Sequence, residues 1–382
     1  MRRTGTDGDA STKQTADDAM AGKVSAAALG YFQDPFAPLF VRHHPPRRPP
    51  IINRGNFARV ASIDKLMRSF LSSSDLALEE KEPPPPPQTP AVSAAASAER
   101  RKGRQIVSLG AGKDTTFFRL LQDGIAPPGG YFEVDFPDMM RQKLAVIKHS
   151  PVLRKLLDVC DEGFSNGTTA TAGPIANGSS TAPTAAVAAA AAVVRLAGGR
   201  YRLVAADLRD APAAAAALLA AGADGDAPTF FLAECVLAYV EPERARALLE
   251  WIAPSFRCAA MASYDMTRPD DAFGRVMVAN IQERGCSLPG LAACPSLAMQ
   301  ERRFLQAGFD SASAADMLAV FHGFVDPAEV QRVSAIEPLD ELEEWQLIMT
   351  HYCMVVATNG QAAGRWLAAL GFPPGMVGGG AT

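Results

Sequence analysis

Gln105-Ile106-Val107-Ser108-Leu109-Gly110-Ala111-Gly112-Lys113-Asp114-Thr115-Thr116-Phe117 runs from a short apolar segment through a glycine turn into a helix-like segment. A brief apolar run closed by glycines reads as a strand covered on both faces. Glycine there lets the backbone turn tightly and lets a ligand approach it. A lone GxG is a weak signal, because glycines are common at strand-to-helix junctions. The rest of the chain repeats the unit. Tyr131–Phe136 is a second strand, followed by a helix over Asp138–His149. Arg202–Ala206 is a third, followed by Ala213–Ala220 with Pro212 suited to the first helical turn. Thr229–Ala233 ends in Glu234 and precedes a helix over Pro242–Ile252, and Cys258–Tyr264 is a fifth strand. Further helices are expected at Asp271–Arg284, Leu297–Leu305 and Asp326–Val333, and a terminal strand at His351–Thr358. Such alternation predicts an α/β fold with an open, mostly parallel sheet covered on both faces.

Outside this pattern, Ile63, Leu66, Met67, Phe70 and Leu71 recur at helical spacing and mark a helix with one buried face. Two tracts break the rhythm. Glu79 to Arg104 contains five consecutive prolines, Pro83 to Pro87, and reads as a linker; a proline-rich ligand for a partner is its functional alternative. Phe164 to Gly199 mixes Ser, Thr, Gly and Asn with an alanine run and reads as a long decorated loop.

The 382 residues carry a net charge of −4 with no long basic block, which argues against a protein whose main partner is a nucleic-acid backbone. The longest apolar tract, Ala185–Val194, is far shorter than the ~20 residues needed to cross a bilayer. Met1-Arg2-Arg3 leads into polar residues without an apolar core, so no secretory signal is expected. The six cysteines form no CxxC pair and no cluster with histidine, so neither a zinc site nor a disulfide framework is expected. A cytoplasmic protein with no bound metal and no membrane partner fits best.

In a parallel sheet, ligands bind beyond the carboxyl ends of the strands, where the strand order reverses. The residues ending these strands are therefore the informative ones. Asp135 can present both oxygens to a ribose diol, or else cap the helix after Pro137. Asp207 with apolar Leu208 could hold an adenine amino group and cover a ring face, and Glu234 would point into the same crevice. Three acidic strand ends would repel a phosphate-bearing cofactor. A cationic, phosphate-free nucleoside suits them, and S-adenosylmethionine carries adenine, ribose and a sulfonium.

The segments Arg54–Val60, Leu109–Phe117, Tyr131–Pro137, Ala206–Asp210, Ala233–Tyr239 and His351–Cys353 together resemble the leucine carboxyl methyltransferases. They occur in that family's order, interrupted only by the two low-complexity tracts. The resemblance implies a SAM-dependent (class I) methyltransferase of Rossmann-like fold with an antiparallel terminal strand, acting as a monomer. It also implies a substrate, the C-terminal leucine carboxylate of the protein phosphatase 2A catalytic subunit, and a methyl ester that regulates phosphatase assembly. By similarity, Lys23, Arg59, Gly110, Asp135, Asp207, Leu208 and Glu234 match cofactor-binding positions. A guanidinium at Arg59 can grip a carboxylate with two hydrogen bonds, that of the methionine moiety or that of the substrate; the family pattern points to the former. A relative that acts on a modified tRNA base carries a β-propeller extension, for which the roughly two dozen residues after the terminal strand leave no room.

On this basis residues 1–22 are expected to be disordered, 23–78 to form an N-terminal helical segment and 79–104 a Pro/Ala-rich linker. The methyltransferase domain would span 105–358, with a low-complexity insertion at 164–199 and a helical insertion at 265–305 acting as lid, before a Gly-rich tail at 359–382. A C-terminal carboxylate has a pKa near ~3.5 and is already ionised at neutral pH, so no general base is required. Transfer from a sulfonium to a carboxylate annihilates charge, and rate should come from positioning and water exclusion. Arg59, Tyr239 and Tyr264 are the candidate positioning residues, the two tyrosines as donors to the substrate carboxylate. His351 is read as structural.

Overall fold

A computed structural model describes residues 6–74, 76, 103–159 and 193–374. Eight strands form one sheet: β1 (Gln105–Leu109), β2 (Gly130–Asp135), β3 (Val193–Leu196), β4 (Tyr201–Ala205), β5 (Thr229–Glu234), β6 (Ala259–Met266), β7 (Ser311–Asp316) and β8 (Tyr352–Asn359). Their spatial order is β3-β4-β2-β1-β5-β6-β8-β7. The five strands β4, β2, β1, β5 and β6 pair parallel, whereas β8 runs antiparallel to both β6 and β7, and β3 antiparallel to β4. This is the α/β architecture with an antiparallel terminal strand that the strand–helix rhythm and the family resemblance imply. The order reverses between β1 and β5, so the switch point lies beyond Leu109 and Glu234.

Successive side chains of the central strands enter different cores, the pattern of a sheet covered on both faces. Ile106, Tyr131, Tyr201 and Phe230 join one apolar cluster with the two N-terminal helices, α1 (Thr6–Ala28) and α2 (Pro50–Ser72). Val107, Phe132, Val204 and Phe231 join another with α6 (Ala211–Ala221) and α7 (Pro242–Ser255). Between these helices in chain order lie α3 (Thr116–Gln122), α4 (Pro137–His149) and α5 (Pro151–Leu156). The helix α2 buries Phe57, Ile63, Leu66, Met67 and Phe70. After β6 come α8 (Ala272–Glu283), α9 (Pro289–Ala293) and α10 (Leu297–Gln306); after β7 come α11 (Met317–Gly323), α12 (Pro327–Ser334) and α13 (Leu342–Thr350); α14 (Gln361–Leu370) follows β8.

Three boundaries differ from expectation. Residues 1–22 were expected to lack structure, yet α1 is helical from Thr6. Its first half has almost no apolar face, and ion pairs to the body hold it instead: Lys13–Asp138 at 2.9 Å, Asp17–Lys113, and Asp18–Arg284 at 3.4 Å. The tract assigned as a loop over 164–199 ends in β3, whose Val193–Leu196 pairs with β4 in a register set by Val193 opposite Val204. The tail after Asn359 begins with α14, anchored by buried Ala363 and Trp366. The proline run and most of the 164–199 tract lie outside the described residues. Among the described residues, no helix is long and apolar enough to cross a membrane.

Candidate active site

Because β1, β2, β4 and β5 run parallel, their carboxyl ends meet at one edge of the sheet. There Gly110 (φ +62°) and Gly112 (φ +52°) turn the chain sharply. A Cβ on Gly110 would lie 2.6 Å from a Val236 methyl, so only glycine fits that turn. Beyond it, α1 and α2 close a cavity of about 250 Å³. Lys23, Arg59, Gly110, Asp135, Asp207, Leu208, Glu234 and Tyr239 all line it, so eight of the nine candidate residues converge. Tyr264 does not line the cavity. It is buried behind Arg59, with its ring stacked on Tyr352, and so does not stand beside Tyr239 as a cavity-lining donor.

The cavity wall alternates in charge. The Lys23 ammonium lies 3.1 Å from Asp114 Oδ1 and 3.2 Å from Glu234 Oε1, and the same Glu234 oxygen lies 2.9 Å from Arg59 Nε. Burial pushes the Lys23 pKa down, but the Glu234 and Asp114 carboxylates more than offset it, so the ammonium stays charged. Burial likewise disfavours the Asp114 carboxylate, yet Lys23, Lys143 and Arg119 hold its pKa well below the usual range. Asp114 is fixed from two further directions: Oδ2 accepts from Thr116 N (3.1 Å), and its carbonyl accepts from Lys143 Nζ (2.6 Å). Lys143 in turn meets Glu133 at 2.5 Å in a fully buried pair.

Asp135 sits at the end of β2 with Oδ2 accepting from Gly112 N (2.7 Å) and Oδ1 from Phe136 N (2.6 Å). Burial pushes its carboxyl pKa up, and those two N–H groups pull it back. Asp207 is half-buried and bridged to Arg209 at 2.7 Å. Burial pushes its carboxyl up too, but the Arg209 hydrogen bonds outweigh that and lower it. No histidine lines the cavity. The thiol of Cys235 is pushed up to about 12 by burial, and burial raises the Tyr239 phenol as well. His351 is buried in contacts of its own, with Nδ1 2.7 Å from the Leu347 carbonyl and Nε2 2.8 Å from Asp271.

The leucine carboxyl methyltransferase family model matches residues 90–253. A leucine carboxyl methyltransferase 1 homolog from Arabidopsis thaliana is 37% identical over 355 residues, covering 92% of this chain and 90% of that protein. The chain belongs to the leucine carboxyl methyltransferase family. Leucine carboxyl methyltransferase 1 of Rattus norvegicus is 33% identical over 92% of this chain and 91% of its own length. The tRNA wybutosine-synthesizing protein 4 of Homo sapiens is 36% identical over 93% of this chain, which spans only 45% of that protein. Membership makes the protein an S-adenosylmethionine-dependent carboxyl methyltransferase.

The cavity's donor set suits that cofactor. Its wall sets two cations, Lys23 and Arg59, against two carboxylates, Asp114 and Glu234, and Asp135 has lone pairs left beyond its two backbone hydrogen bonds. The chain's motifs already pointed to most of these residues. Asp114 lies within Leu109–Phe117, but its role depends on Lys23, 91 residues upstream, and on Lys143. The α1 lining residues, Thr12 through Met20, belong to a segment whose composition carries no packing signal.

Proposed function

We propose that the enzyme esterifies the C-terminal leucine α-carboxylate of the protein phosphatase 2A catalytic subunit. The observation that carries the chemistry is a cavity whose thiol and phenol are pushed well above neutrality and which no histidine lines. Such a site serves an acceptor that arrives already ionised, and a terminal carboxylate does so at neutral pH. The match over nine-tenths of the leucine carboxyl methyltransferase 1 relatives supports a protein carboxyl terminus as that acceptor.

In this reading Lys23 and Arg59 hold the methionine carboxylate, Glu234 and Asp114 its ammonium, Asp135 the ribose, and Asp207 with Leu208 the adenine. The bound cofactor supplies an electrophilic methyl group. Tyr239, at the cavity wall after β5, donates to the incoming carboxylate and aligns it. The first half of α1, which lines the cavity, and the helices α8 and α9, packed behind Tyr239, exclude water, which matters because water stabilises separated charges more than the charge-dispersed transition state. A cytoplasmic location accords with both the acceptor and the cysteine pattern.

The similarity to the tRNA wybutosine-synthesizing protein favours one competitor, a tRNA-borne carboxylate. Incubation with methyl-labelled cofactor should place one base-labile methyl on the terminal leucine of the intact phosphatase. A phosphatase tail left unmethylated while tRNA is labelled would overturn the assignment. An isolated tail peptide in a third arm shows whether contacts beyond the tail are needed.

A further inference from the structure

Arg59 is constrained from several sides. Its Nε edge faces Glu234, and Nη2 donates to Asn56 Oδ1 at 3.1 Å. Its guanidinium carbon lies 5.5 Å from the centre of the Tyr264 ring. That ring is itself backed by Tyr352, with centroids 5.4 Å apart and planes inclined by only 14°. The stack follows from strand register. Tyr264 on β6 stands opposite Met354 on β8, so Tyr352, two residues away, shares its face as a diagonal neighbour, within reach of an aromatic side chain. The phenol of Tyr352 is pushed up to about 12, burial being the main cause, so its hydroxyl stays neutral beside the guanidinium. Among the described residues, no side chain or carbonyl accepts from Arg59 Nη1.

We infer that Tyr352 is a positioning residue for the cofactor: with Tyr264 it forms an aromatic platform that fixes the plane of Arg59, so that the free edge of the guanidinium meets the methionine carboxylate. A cation over a ring face is attracted by the negative ring quadrupole, and backing that ring with a second limits its tilt. An arginine held this way pays less conformational entropy when its carboxylate arrives. Tyr352 is not itself a lining residue of the cavity, so its effect on the site passes through Tyr264 and Arg59. The inference rests on the reading that Arg59 grips the amino-acid carboxylate.

Two cofactor analogues separate these points. S-adenosylhomocysteine carries that carboxylate, and 5′-methylthioadenosine lacks it. Titration calorimetry on the full chain should show Tyr352→Leu weakening S-adenosylhomocysteine about tenfold, with 5′-methylthioadenosine unchanged. Tyr352→Phe, which keeps the ring face, should bind both like the wild type. Tyr352→Met fills the volume without a ring and should behave as the leucine variant does, providing the same test if that variant folds poorly. Equal weakening of both analogues would mean a merely structural role, and a phenylalanine variant as weak as the leucine one would assign the effect to the hydroxyl; either result overturns the platform. Arg59→Ala tests the underlying reading separately: if it weakens both analogues equally, or neither, Arg59 does not hold the carboxylate.

Discussion

At the residue scale, Asp114 shows how one carboxylate orders a site without reaching the reacting atoms. It keeps Lys23 from collapsing wholly onto Glu234, and Lys143 beneath it pins its backbone. Removing one partner from a buried charge pair leaves the other uncompensated, so Asp114→Asn should cost about 3 kcal/mol in urea unfolding at pH 7. The sign with pH follows from the lowered carboxyl: its stabilisation is complete above the unfolded value of ~3.9 and is lost as pH falls toward the folded one. The gap between variant and wild type should therefore close below about pH 4. Glu133 has the opposite sign. Burial pushes its carboxyl up to about 7 despite Lys143, so the folded state holds its proton more tightly than the unfolded chain does. Its ionisation thus costs stability progressively as pH rises from ~4.5 to about 7. Glu133→Gln keeps an acceptor for Lys143, and its urea midpoint should decline less than the wild type's between pH 5 and 7.5. Asp135 and Glu234 were legible as strand-end carboxylates facing a crevice. Asp114 and Glu133 were not, because their meaning lies in partners that only the folded chain brings near.

Among the elements, the two kinds of helix at the site differ in what their composition reveals. In α2 the apolar residues recur at helical spacing, and both the helix and its buried face could be read directly. The first half of α1 is polar and alanine-rich, and the same composition describes unstructured chain; its order comes from ion pairs to α4, the glycine turn and α8. The strand β7 escaped notice for a related reason. Its Ser311-Ala312-Ser313-Ala314-Ala315-Asp316 lacks β-branched and aromatic side chains, and pairing with β8 makes it a strand. Exposed ion pairs are screened by salt, so the first half of α1 should be the part of the cavity wall that opens most readily. Raising NaCl from about 0.05 to 0.5 M should speed cofactor dissociation several-fold in stopped-flow fluorescence. A chain lacking residues 1–18 should bind cofactor at least about tenfold more weakly by calorimetry, with little salt dependence left. A truncated chain with unchanged affinity would show that α1 lies against the cavity without closing it.

Across the whole molecule, the fold collects residues from position 12 to position 240 into one cavity, so insertions are tolerable wherever their ends already meet. The segment between α2 and β1 meets that condition. Both terminal nitrogens of Arg104 donate to carbonyls at the end of α2, Nη1 to Leu71 and Nη2 to Ser73, so the described residues on the two sides of this connection lie side by side. Closing a loop costs entropy that grows only logarithmically with its length, about 0.6 kcal/mol per doubling. Residues 82–98 lie in this connection. Deleting them should leave kcat/KM on the phosphatase within about twofold and raise the thermal midpoint by a degree or two, since the shorter loop loses less entropy on folding. Scanning calorimetry and initial-rate assays on the same preparation check both halves. A fall in kcat/KM at unchanged stability would mean that the proline run contacts the protein substrate, and the proline-rich ligand reading would then replace the linker reading.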